Sequence, residues 1–120
     1  MNRIAAALVP LVLLAGCAIT VPVAVISGNG DVMRGTATAS MSGGSFSVAG
    51  NLDGKETTCS GNYNSWDTSL TISMPVLCSD GRKGIVIATR DASGLSGSGR
   101  VRLTDGTEGD FIFGQSAASF

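Results

Sequence analysis

The chain has 120 residues, room for one domain, with 17 Gly, 15 Ser and 10 Thr against only 14% charged residues. It contains no histidine, which excludes Ser-His-Asp triads, Cys-His nucleophile pairs and His-ligated metals. A formal charge of −1 is too near zero to point to an electrostatic partner, and nucleic acid is not expected as one.

The first element is a targeting pattern. Arg3 is the positive start, Ile4 to Leu13 are apolar, and Leu14-Ala15-Gly16-Cys17 closes the stretch. This tetrapeptide resembles the lipobox of bacterial lipoproteins, where small residues fit the peptidase pocket beside a cysteine at one fixed position. The resemblance implies that residues 1–16 are a signal peptide and that cleavage falls before Cys17. It further implies a diacylglyceryl group on the Cys17 thiol and an acyl chain, such as palmitate, on the new amine. Ala18 stands where Asp would retain such a lipoprotein at the inner membrane. The same resemblance therefore implies a lipid-anchored domain, 17–120, on the outer membrane and facing the periplasm. Two or three acyl chains on one residue anchor stably. The competing reading is an uncleaved membrane helix over Ile4 to Ile26. Pro10, Pro22 and the β-branched run after Cys17 oppose it.

With Cys17 assigned to lipid, Cys59 and Cys78 remain as an even pair in an oxidising compartment, and a disulfide between them is expected. Its loop would contribute about 3 kcal/mol through restriction of the unfolded chain.

Strands are expected from Val21 onwards. Asn29-Gly30, Asp53-Gly54, Asp80-Gly81 and Asp105-Gly106 are two-residue hairpin signals at near-equal spacing. Between them lie weaker turn signals at Gly43-Gly44, Asn64 to Asp67 and Ser93 to Gly97. Leu70, Ile72, Met74, Val76 and Cys78 share one face of a strand, and Cys59, Gly61 and Tyr63 a matching face of its partner. Phe46, Val48 and Leu52 align, as do Val101 with Leu103 and Phe111 with Phe113. Ile85 to Ala88, apolar at every position, suggests a strand covered on both sides. Pro75 removes a ladder donor and marks an edge or bulge. The fold class is therefore all-β: an antiparallel meander of about eight short strands in a small barrel or curved sheet, with one disulfide.

Gly99 to Gly114 echoes Gly35 to Gly50, and Ser79 to Gly84 echoes Thr104 to Gly109. These hairpin units resemble the MORN repeat in architecture, with too few aromatics. The region from Cys59 to Gly114, centred on Cys-Ser-Asp-Gly-Arg-Lys-Gly, resembles small lipoproteins of proteobacteria, a likeness that implies no activity.

Ser96-Gly97-Ser98-Gly99 is similar to the signature loop of membrane-bound inhibitors of chicken-type lysozyme, which are small lipidated eight-stranded barrels. The likeness implies a loop that enters the lysozyme cleft with its serine on the catalytic carboxylates. Arg100-Val-Arg-Leu follows where that family has an aromatic, and the cysteines sit in mid-chain rather than bracketing the barrel. The plain alternative is a flexible hairpin loop. Asp105, Glu108 and Asp110 offer oxygen ligands, but in no EF-hand order, so no metal is expected. Gly28-x-Gly30 and Gly97-x-Gly99 lack the third glycine and helix of a dinucleotide loop, so no cofactor is expected. Arg90, Arg100 and Arg102 are placed as a basic stripe on adjacent strands, and Trp66 as a residue folded over the sheet's open end, with an exposed interaction anchor as the alternative. No nucleophile–base pair or catalytic carboxylate pair is apparent. The functional expectation is a non-enzymatic envelope lipoprotein with a structural or binding role. Its partners are the membrane, through the anchor, and an envelope protein, with lysozyme inhibition as the alternative.

Overall fold

A computed structural model describes residues 18–120. Eight strands follow one another around a closed antiparallel barrel: β1 (Ile19–Ser27), β2 (Val32–Ser40), β3 (Gly43–Leu52), β4 (Lys55–Tyr63), β5 (Thr71–Cys78), β6 (Lys83–Arg90), β7 (Gly97–Leu103) and β8 (Glu108–Phe113). Each strand pairs with its neighbours in sequence, and β1 closes on β8 over the register Val23↔Phe113 to Ser27↔Gly109. A short 3-10 turn, Gln115–Ser119, follows and buries Ala117. The expected eight-stranded meander is present, and Cys59 and Cys78 are joined by a disulfide between directly opposed positions of β4 and β5.

Alternation builds the core. Ile72, Met74, Val76 and Cys78 point inward along β5 while Thr71, Ser73, Pro75 and Leu77 point out; Leu70, expected on the inward face, instead precedes the strand and is exposed. Phe46, Val48 and Leu52 do the same from β3. Phe46 and Phe111 meet edge-to-face across the lumen, with centroids 5.2 Å apart and planes at 78°. Such a pair adds about 0.5–1.5 kcal/mol to the burial of two large rings. Interior side chains thus fill the middle of the barrel.

Three readings are corrected. In the competing one, a membrane helix runs from Ile4 to Ile26; Ile19–Ile26 instead pair with β2 as a strand, and Val23 to Ser27 also with β8. Among the described residues no helix is long and apolar enough to cross a membrane. Ile85 and Ile87 are not covered on both sides: they lie on the outer wall and are exposed, while Val86 and Ala88 are buried. A continuous apolar run here reflects an apolar outer wall rather than a second packed layer.

The third correction concerns turn type. Only Asp53-Gly54 is a two-residue turn with both residues at positive φ, 55° and 82°. The other three signals form three-residue loops. In each, the glycine N–H donates to the carbonyl three residues back: Gly30 to Ser27, Gly81 to Cys78 and Gly106 to Leu103, at 2.9–3.0 Å. The glycine then occupies the left-handed region, at 92–94°, where it relieves a type I turn through a one-residue bulge.

Pro75 marks an interruption, as expected of a residue without an N–H. It pairs with Ile85 of β6, but β4 and β5 share only the register pairs Cys59↔Cys78 and Ser60↔Leu77.

Candidate functional site

The four Asn/Asp-Gly turns all lie at one end of the barrel, the turn end. The other, open end carries the start of β1, the Met41-Ser42 turn, the loops 64–70 and 91–96, and the last residues of β8.

A cavity of about 100 Å³ opens at that end above the Phe46–Phe111 pair, lined by Val21, Tyr63, Ile72, Arg90, Leu95 and Phe113 among others. A smaller void of about 30 Å³ is also lined by Phe46, together with Val48, Val76 and Val86. The upper cavity exceeds the space one water needs by several-fold and is walled mostly by apolar side chains, the usual character of a small-ligand site. Two polar groups stand at its wall. The Tyr63 ring packs over Gly44, where any Cβ would lie 2.4 Å from it. Burial pushes its phenol pKa up, with Arg90 partly opposing the shift. Arg90 points inward with its guanidinium donating to the carbonyls of Asp67 (2.8 Å) and Ser69, so the cation ties down loop 64–70. It therefore leaves the proposed basic stripe, and only Arg100 and Arg102 share the outer face of β7.

Hydrogen bonds hold the rim. Ser65 Oγ donates to Ser40 O (2.6 Å), and Trp66 Nε1 to Met41 O (3.0 Å). Trp66 is thus tethered across the β2–β3 turn, yet it does not fold away over the opening: the residue is 66% exposed. Asp67 Oδ1 accepts the Ser69 N–H, which holds its pKa below the usual carboxylate range. Asp91 Oδ1 accepts from the hydroxyl and N–H of Ser93 and the N–H of Gly94, with the same effect.

The Ser96 to Gly99 segment differs from its expected form. Gly97, Ser98 and Gly99 are inside β7, paired with β6 on one side and β8 on the other. A Cβ on Gly97 would sit 2.2 Å from Thr89 O, and one on Gly99 1.8 Å from Ile87 O. These glycines serve close strand approach rather than flexibility. Three of the four residues are thus strand, and Ser96 closes the loop 91–96 at this end.

At the turn end a single cation gathers the carboxylates. Arg82 pairs with Asp80 (2.8 Å), Asp53 (2.9 Å) and Asp105 (3.4 Å). Asp31 accepts the Asp53 N–H at 2.9 Å, and Asn29 Nδ2 donates to Asp53 Oδ1, so all four turns are linked. The Arg82 side chain holds the Asp80 pKa down, and the Thr107 N–H, assisted by its hydroxyl and by Arg82, does so for Asp105. Glu108 and Asp110 are instead engaged by Arg100 and Arg102. Asp105, Glu108 and Asp110 therefore do not converge, and among the described residues no group of three or more His, Cys, Asp or Glu could hold a metal.

Cys17 and the segment before it lie outside the described residues. In comparisons with known proteins, no family model, no curated protein and no solved structure matches the chain.

Proposed function

We propose that the protein is a lipid-anchored envelope lipoprotein whose barrel has a non-enzymatic, structural or binding role at the outer membrane. The observation that carries this reading is Leu14-Ala15-Gly16-Cys17 placed immediately before β1, which begins at Ile19. So short a connection suits a domain held against its membrane rather than one on a long stalk. The absence of histidine and of any nucleophile–base pair supports a binding role over catalysis. The apolar cavity at the anchored end is the place where a small apolar group, or an apolar side chain of an envelope partner, would be received.

The intact mass of the protein extracted from membranes, with and without reduction and alkylation, tests the reading. A mass equal to residues 17–120 plus acyl chains, with two cysteines alkylated only after reduction, is expected. The mass of the unprocessed chain would overturn the lipid anchor.

A further inference from the structure

Exposed apolar side chains concentrate at the open end of the barrel, with Leu77, Ile85 and Ile87 on the outer wall of β5 and β6 as the remainder. Among the described residues, nine large apolar side chains are exposed, and six of them stand at the open end: Ile19, Met41, Trp66, Leu70, Leu95 and Phe120. Met41, Trp66 and Leu70 are each about two-thirds exposed, at 67%, 66% and 65%. Isolated exposed apolar residues are ordinary, but a ring of them around one opening is a contact surface.

Charge has the opposite distribution. Asp67, Arg90 and Asp91 are the charged residues of the open end. Each is turned back onto loop backbone by the hydrogen bonds described above. The turn end carries Asp31, Asp53, Asp80, Arg82 and Asp105, with Lys55, Glu56, Lys83 and Glu108 beside them.

The anchor selects between the ends. Position 17 is two residues from the start of β1, and β1 starts at the open end. Two residues reach at most about 7 Å. An amphipathic surface seated at a lipid interface lies about 5–10 Å deep, so an anchor at position 17 holds this rim within contact range of lipid. Trp66 suits that setting, with its indole N–H bonded to Met41 O and its ring exposed.

We propose that the open end is a lipid-contacting face. The barrel stands upright on the bilayer surface, with Met41, Trp66, Leu70 and Leu95 in the interfacial layer, the cavity mouth turned toward lipid and the Arg82 cluster pointing away. This rests on the membrane-anchored reading above, but not on whether the anchor is acyl chains or an uncleaved apolar segment.

Trp66 is the single tryptophan of the chain and reports on its own surroundings. The protein extracted from membranes is placed in phospholipid vesicles with and without bromine on the acyl chains, and the intact mass is read on the same sample. Bromine is expected to lower Trp66 emission about twofold or more, as for an indole seated ~5–10 Å into the interface, while iodide in the water quenches it weakly. Leu70→Asp with Leu95→Asp is expected to restore emission and admit iodide, with the protein still in the membrane fraction and the disulfide intact. Full iodide quenching and no response to bromine in the unaltered chain would overturn the proposal. So would a Trp66 shielded from both quenchers, the signature of two barrels meeting rim to rim. An acylated mass without bromine quenching defeats the docking proposal alone. An unprocessed mass with strong bromine quenching defeats only the lipid anchor.

Discussion

The two ends of the barrel solve the problem of joining antiparallel strands in different ways. At the turn end the connections have only two or three residues, glycine supplies a left-handed residue in each, and Arg82 bonds to the carboxylates of three of them. The Cys59–Cys78 bridge lies in the same half, because Cys78 is the last residue of β5. At the open end two of the three connections run to six or seven residues, and they present Trp66, Leu70 and Leu95 outward around a cavity. The difference teaches that register and cross-linking can be concentrated at one end of a small barrel, leaving the other free to carry surface that does not serve folding. Substitutions at the two ends should then have separable effects.

The largest effect is expected from the bridge. Replacing both cysteines, Cys59→Ala with Cys78→Ala, should cost about 2–5 kcal/mol in urea unfolding. Hydrogen exchange should show the β4–β5 seam losing protection before β1–β8, since β4–β5 has two register pairs and β1–β8 has five. Arg82→Ala should cost about 1 kcal/mol by the same measurement, because the side chain is mostly covered but two of its carboxylate partners, Asp53 and Asp105, are about half exposed. A loss below a few tenths would show that the four turns are held by glycine geometry alone.

Acid sharpens the comparison. Asp80 and Asp105 at the turn end, and Asp67 and Asp91 at the open end, have pKa values below the usual carboxylate range in the folded chain. A depressed folded pKa contributes stability that is present above the unfolded value, about 3.9, and is lost as pH falls through the folded value. Stability should therefore hold from neutral pH to about pH 4 and decline below it. In Arg82→Ala the decline should be shallower, with the remainder arising at Asp67 and Asp91. The smallest stability effect belongs to the rim: Leu70→Asp with Leu95→Asp should stay within about 0.5 kcal/mol of the parent in urea unfolding, even as lipid contact is lost. A large destabilisation would mean that the rim belongs to the core.

Much of the barrel was legible because its signals are local. Gly-containing turns at regular intervals and alternation such as Ile72, Met74, Val76, Cys78 give eight strands and place the two cysteines on facing strands. The three-residue turns were not distinguished because Asn-Gly and Asp-Gly serve both turn classes, differing only in whether the residue before glycine has positive φ. Gly97-Ser-Gly99 has a loop's composition, and only the approach of Thr89 and Ile87 carbonyls gives its glycines a strand role. The cavity was invisible for a different reason: Tyr63 and Arg90 stand together only after the sheet curls. The rim has no periodicity at all, since its side chains come from separate loops that meet in space.

One consequence follows from how the barrel closes. Every ladder except one joins strands adjacent in sequence, so β2 to β7 are completed by local hairpins that form quickly. The exception is β1 with β8, which brings together the two extremes of the domain and must await a long loop closure. Strand β1 is thus half-paired until the final strand has been made and has arrived. During that interval its apolar residues Val23 and Val25 and one of its hydrogen-bonding edges are open. The barrel is therefore finished only at its last step: a chain stopped before residue 108 would be largely laddered and still exposed to aggregation along one strand.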